Sequence, residues 1–182
     1  GEKENGAVFS HMAVMYANAL YKRGFIKEGY KVLKNLLDSA MDFENSIMYP
    51  GIPEYFDNDG RGLYAYLTGA ASWYMLTMIT EVFGVRGELG NLVIKPALLP
   101  EQFDKDGKAA IKLNFSGRTL KITIHADIDN IQDNNGVYNK IIRVECDGNE
   151  LESADLKKVV IMKKRIEEMS CERCHEIDVF IK

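Results

Sequence analysis

From Thr68 to Phe83 the chain offers almost no polar face. Trp73, Tyr74, Met75, Leu76, Met78, Ile79, Val82 and Phe83 would occupy every side of an α-helix. A helix that is apolar all round must be buried all round. What precedes it is a single helical hairpin. Its first arm is expected to start at Ser10 as N-cap, with Met12, Ala13, Tyr16, Ala17 and Leu20 on one face, and to stop at Arg23-Gly24. Its second arm starts near Ile26, with Tyr30, Leu33, Leu36 and Leu37 inward and Lys27, Lys31, Lys34 and Asp38 outward. One amphipathic hairpin cannot surround the third helix. The helices therefore need partners, expected from the upstream remainder of the same polypeptide. The run from Leu63 to Phe83 is long enough to suggest a membrane span. Thr68, Ser72, Thr77, Thr80 and Glu81 interrupt it, and no Lys/Arg cluster flanks it, so that reading is rejected.

After Gly84 the period changes from helical to two. Ile111, Leu113 and Phe115 alternate with polar residues, as do Leu120, Ile122 and Ile124 against Lys121, Thr123 and His125. Ser116-Gly117 is the turn between them. Ile142, Val144 and Cys146 lead into a second turn, Asp147-Gly148-Asn149. Val159 and Ile161, then Ile177, Val179 and Ile181, complete the pattern. The expected fold is α then β, with helices over residues 1–84 and an antiparallel β-sandwich over 90–182. Residues 41–67 read as a long irregular segment broken by Pro50, Gly51, Pro53, Gly60 and Gly62. Its tyrosines argue for a functional loop rather than disorder. Asp127 to Asn139 reads as a mobile loop.

A net charge of −4 with no basic stripe argues against a nucleic-acid partner. Three cysteines make no disulfide framework of the secreted kind, no signal peptide is visible, and a cytoplasmic location is expected. A chain opening at Gly1 in a polar motif just before a helix is expected to be a fragment truncated upstream.

Two polar clusters run straight into apolar helices: Lys3-Glu4-Asn5-Gly6-Ala7-Val8-Phe9-Ser10-His11, and Tyr66-Leu67-Thr68-Gly69-Ala70-Ala71-Ser72-Trp73. Each could present small hydrogen-bond donors at a helix start, where an anion is well received. The first resembles the KENGAIFSH-type segment, and the second the YLTG(S/A)ASW-type segment, of the inverting disaccharide phosphorylases of glycoside hydrolase family 94. Glu81 to Gly87 and the Leu92-to-Pro100 run resemble that family's passage into its C-terminal sheet domain.

The resemblance implies that residues 1–84 are the last helices of an (α/α)₆ barrel and that 90–182 are a jelly-roll-like sandwich. It implies phosphate attack on a β-glucosidic bond, giving an α-sugar 1-phosphate with inversion. An inverting hydrolase needs two carboxylates. Phosphate is already a charged nucleophile, so one acid and an anion cradle suffice. By the same resemblance His11, Thr68 and Gly69 bind phosphate, Lys3 contacts sugar hydroxyls, and Glu4 and Asn5 shape that site. No residue of this chain matches the family's general-acid Asp or its phosphate-binding Arg, and Arg61 has no supporting spacing to Thr68. The isolated fragment is accordingly expected to be inactive. Inorganic phosphate would be the co-substrate, with no cofactor. The partners would be a β-linked glucose oligosaccharide and, since the family often dimerises, a second copy. The Tyr49-to-Phe56 loop departs from cellobiose-type members. Gly60-Arg61-Gly62-Leu63-Tyr64 looks more like the β-1,2-oligoglucan phosphorylase branch.

Plainer readings stand beside these. A lone His at a helix start is usually a cap or surface residue, and Thr-Gly before a helix is commonly structural. Asp57 and Asp59 read as turn residues. Cys171-Glu172-Arg173-Cys174-His175 matches a c-type haem attachment pattern, rejected because it leads directly into a strand. Cys146, Cys171, Cys174 and His175 could hold zinc, but only one close pair exists and chance spacing is favoured. The alternative overall reading is a non-catalytic glycan-binding or structural module, which the lack of exposed aromatic rows disfavours. A hydrolase on the same helical barrel is a weaker third.

Overall fold

The computed structural model describes residues 5–49, 51–64, 69–126, 140–151 and 157–182. Lys3, Glu4, Thr68 and the expected loop at 127–139 lie outside them. The chain divides into two compact units, Gly1–Met78 and Ile79–Lys182. It combines helices with antiparallel and mixed sheets.

In the first unit, strand β1 (Val8–Phe9) runs directly into helix α1 (Ser10–Lys22). Phe9 is the N-cap, not Ser10, and no side chain caps the helix. Ser10 has already entered the first turn, and its backbone N–H donates to the Glu54 carbonyl at 2.9 Å. Arg23 closes the helix and Gly24 turns the chain at φ 84°. Helix α2 (Ile26–Met41) buries Ile26, Leu33, Leu36 and Ala40, while Leu37, expected inward, is exposed at the edge of the apolar face. Where α1 meets α2, a β-carbon on Gly29 would sit 2.6 Å from the Tyr21 ring, so the glycine is what lets that ring approach the α2 backbone.

The segment expected to be irregular is more ordered than its composition indicates. It holds a short helix α3 (Phe43–Ser46) and strands β2 (Tyr55–Phe56) and β3 (Gly62–Leu63). These join β1 in a three-stranded sheet, with Phe9 opposite Tyr55 and Tyr55 opposite Leu63. Two-residue strands carry too short a period to be seen in a sequence. Asp57 is a turn residue: its carboxylate accepts the backbone N–H groups of Asp59 (3.0 Å) and Arg61 (2.9 Å).

Helix α4 (Gly69–Thr77) is the apolar helix. Among the described residues only Ala70 and Thr77 of it are buried, while Met75 is 60% and Leu76 45% exposed. Its apolar sides therefore lack the cover they call for. Beyond Thr77 the helix widens into a π-helical turn (Met78–Val82) rather than continuing regularly to Phe83. No helix among the described residues is long and apolar enough to cross a membrane.

In the second unit, β4 (Val85–Glu88) and β5 (Asn91–Ile94) form a hairpin through Leu89-Gly90, joined on the other side of β5 by β10 (Val159–Ile161). A five-stranded sheet has the order β6 (Lys108–Phe115), β7 (Arg118–Ala126), β11 (Cys174–Ile181), β8 (Ile141–Cys146), β9 (Asn149–Glu150). The Ser116-Gly117 and Asp147-Gly148 turns fall where expected, all four residues at positive φ. Two points correct the sequence reading. The sheet is mixed rather than antiparallel, since β11 pairs parallel with β7. Ile141, not Ile142, faces inward at the start of β8, because the register with β11 shifts between Phe180 and Ile181. Helix α5 (Lys163–Glu168) precedes β11 and buries Ile166.

Candidate functional site

Helices α1 and α4 lie side by side and run in the same direction. The His11 ring lies against the α-carbon of Gly69: a β-carbon there would be 2.5 Å from His11 Cε1 and 2.9 Å from Nε2. Two turns further along each helix, the Asn18 side-chain amide donates to the Thr77 hydroxyl at 3.1 Å. Contacts at both levels fix the direction. The two N-terminal ends, with their partial positive charge, therefore meet at one place. Parallel neighbouring dipoles repel, and an anion at the shared end offsets that cost. Neither helix carries an acidic residue in its first turn to do so.

The polar groups at this end are under-used. His11 Nε2 is buried and has no hydrogen-bond partner among the described residues, and the same holds for the Oγ of Ser10, which is fully buried. A buried, unpaired polar group costs about 1–3 kcal/mol. Such groups in a native structure call for an explanation, a ligand among them. The walls around His11 are aromatic. The Phe9 ring stands edge-on to it at 6.0 Å, and Trp73 is tilted at 6.1 Å. Phe9 in turn stacks on Tyr55 at 4.7 Å, and Tyr64 meets Tyr55 edge-on at 5.8 Å. The small sheet thus holds β1 and the start of α1 in position through stacked rings.

Of the residues expected to bind phosphate, His11 and Gly69 are brought together, and Thr68, the residue before Gly69, is not described. Of those expected at the sugar, Asn5 is an exposed turn residue, and Lys3 and Glu4 are not described. Arg61 enters the structure through its backbone, which pairs with Asp57. Ser10 and Phe9 were missed as parts of the site. Trp73 had a readable signal, since Gly69 and Trp73 are spaced to share a helix face. Asn18 and Thr77 carried no local signal at all.

In the cysteine-histidine cluster of the second unit, the imidazole is held by groups of the protein itself. No group of three or more His, Cys, Asp or Glu among the described residues is arranged to hold a metal. His175 is 2% exposed and committed at both ring nitrogens, Nδ1 to the Asp147 carboxylate at 2.6 Å and Nε2 to the Ser170 carbonyl at 3.1 Å. Asp147 also pairs with the Arg173 guanidinium at 2.8 Å and accepts the Glu176 N–H at 3.0 Å. Burial would raise its carboxyl. The His175 hydrogen bond, the Glu176 amide and the nearby charges outweigh burial and hold it below the usual carboxylate range.

No known family profile matches the chain. Among curated proteins it is similar to the cellobionic acid phosphorylase of Neurospora crassa. The two are 26% identical over 137 residues, covering 68% of this chain and 17% of that protein. The match therefore covers less than a fifth of that protein's length.

Proposed function

We propose that this chain is the phosphate-holding part of an inverting phosphorylase of glycoside hydrolase family 94, acting on a β-linked glucose oligosaccharide. The observation that carries the reading is the meeting of the His11 imidazole and Gly69 at the shared N-terminal end of two parallel helices. The distant similarity to a phosphorylase supports it. So do Met12, Met15, Tyr16, Met75 and Leu76, exposed on α1 and α4, which suit further helices of an (α/α)₆ barrel packed against them. On this reading residues 1–84 close that barrel and 90–182 form its C-terminal sandwich.

In the reaction, phosphate bound by His11, Thr68 and Gly69 is held against the anomeric carbon. Its oxygen attacks as the glycosidic oxygen leaves, and the configuration inverts. His11 donates a hydrogen bond to the phosphate. Gly69 lets the His11 ring pack against the start of α4, which sets the imidazole at the shared helix end. Lys3, Glu4 and Asn5 orient sugar hydroxyls. The acid that protonates the leaving oxygen belongs to the rest of the parent polypeptide.

The test is phosphorolysis by the full-length polypeptide of cellobionate, cellobiose and β-1,2-linked glucose oligosaccharides. Phosphate-dependent release of α-glucose 1-phosphate, lost in His11→Ala, is expected. Sugar release that is independent of phosphate would defeat the reading.

A further inference from the structure

The Cys171-Glu172-Arg173-Cys174 motif is left without a role once His175 is spent on Asp147 and Ser170, because neither haem iron nor zinc can then use that imidazole. What remains is a pair of exposed free thiols with two residues between them. The chain bends at each of residues 171–173 before Cys174 begins β11. A fully extended run of this length would hold the two α-carbons ~10 Å apart. A disulfide needs roughly 4.4–6.8 Å, and successive bends shorten the span towards it. The loop is anchored on both sides of Glu172. The Glu172 N–H donates to Ser170 Oγ at 3.1 Å, and Arg173 is tied to Asp147.

The third thiol behaves differently. Cys146 is buried on the inward face of β8, out of reach of a disulfide in solution, and burial together with the Asp147 charge pushes its thiol up.

We propose that Cys171 and Cys174 form a redox-active dithiol, oxidised to an intrachain disulfide by small-molecule disulfides of the glutathione type. One cysteine thiolate attacks a sulfur of glutathione disulfide. That S–S bond breaks, and one glutathione leaves and takes up a proton. The second cysteine attacks the protein sulfur of the mixed disulfide, the Cys171–Cys174 bond forms, and the second glutathione leaves. Two protein thiols are oxidised and one glutathione disulfide is reduced to two thiols. The new bond closes the loop from which Ser170 and Arg173 hold the Asp147–His175 pair.

The experiment is incubation of the whole chain with excess glutathione disulfide, followed by mass spectrometry and a thiol count under denaturing conditions. The expected product has lost two hydrogens and keeps one thiol, that of Cys146. Trypsin cuts after Arg173, so the peptides carrying Cys171 and Cys174 stay joined until reduced. Cys171→Ser is expected to stop at a persistent glutathione adduct on Cys174, and oxidation should raise the melting temperature of the wild type and not of this variant. Two separate stable adducts, a bond between two chains, or no reaction would each overturn the proposal.

Discussion

Asn18 and Thr77, far apart in sequence, share a buried hydrogen bond of 3.1 Å that sets the axial position of α1 against α4. This bond determines whether the His11 and Gly69 ends of the two helices are level. Asn18→Ala leaves the Thr77 hydroxyl buried and unpaired, at an expected cost of about 1–3 kcal/mol. Removing both groups in Asn18→Ala/Thr77→Ala should cost less than the two single changes added together. Urea unfolding of the four proteins checks this.

Gly69→Ala puts a methyl group into the His11 ring. The ring must turn away, and with it the imidazole that the proposed function assigns to phosphate. Phosphate affinity in the full-length polypeptide is expected to fall at least about tenfold, or about 1.4 kcal/mol. Isothermal titration with phosphate measures it, with His11→Ala as the reference for complete loss of the imidazole.

Gly84 is set at φ 68°, and a β-carbon there would lie 1.8 Å from the Lys95 carbonyl oxygen. That carbonyl is backbone and cannot swing aside. The two residues are also joined directly, Lys95 N–H donating to the Gly84 carbonyl at 3.0 Å. Gly84→Ala is expected to destabilise the second unit by about 3 kcal/mol or more, through strain and steric overlap together. A lowered denaturation midpoint in the variant is the readout.

The Asp147 carboxyl titrates below its usual range in the folded chain. A depressed carboxylate contributes stability that is present above its unfolded value, near ~3.9, and is lost as pH falls through the folded value. Wild-type stability should therefore drop steeply below about pH 4. Asp147→Asn should be less stable at neutral pH and show a shallower acid limb. Urea midpoints between acid and neutral pH separate the two curves.

The parts legible in the sequence are those with a sustained period. Helix α2 starts at Ile26 as its pattern indicates, and Leu120, Ile122, Ile124, Ile177 and Val179 all face inward. What was hidden depends on partners remote in the chain. Nothing local to Cys174–Ile181 distinguishes a parallel neighbour from an antiparallel one. The inward turn of Ile141 depends on a register shift against β11, which no alternation within β8 records. In the site, His11 and Gly69 were readable only through motif resemblance. Ser10 has the sequence signature of a cap, and nothing local marks its hydroxyl as buried inside the first turn.

The middle position of β11 has a consequence for how the second unit is assembled. The β6–β7 hairpin can close as soon as it is made, and β8 can turn back on β9, but among the described residues these halves meet through a strand that comes later in the chain than either. Until it arrives, β7 and β8 each present an open edge on which a neighbouring molecule's strand can zip. Long-range closure of this kind is slow. Refolding yield should therefore decline as protein concentration rises, with misassembly competing against the final insertion.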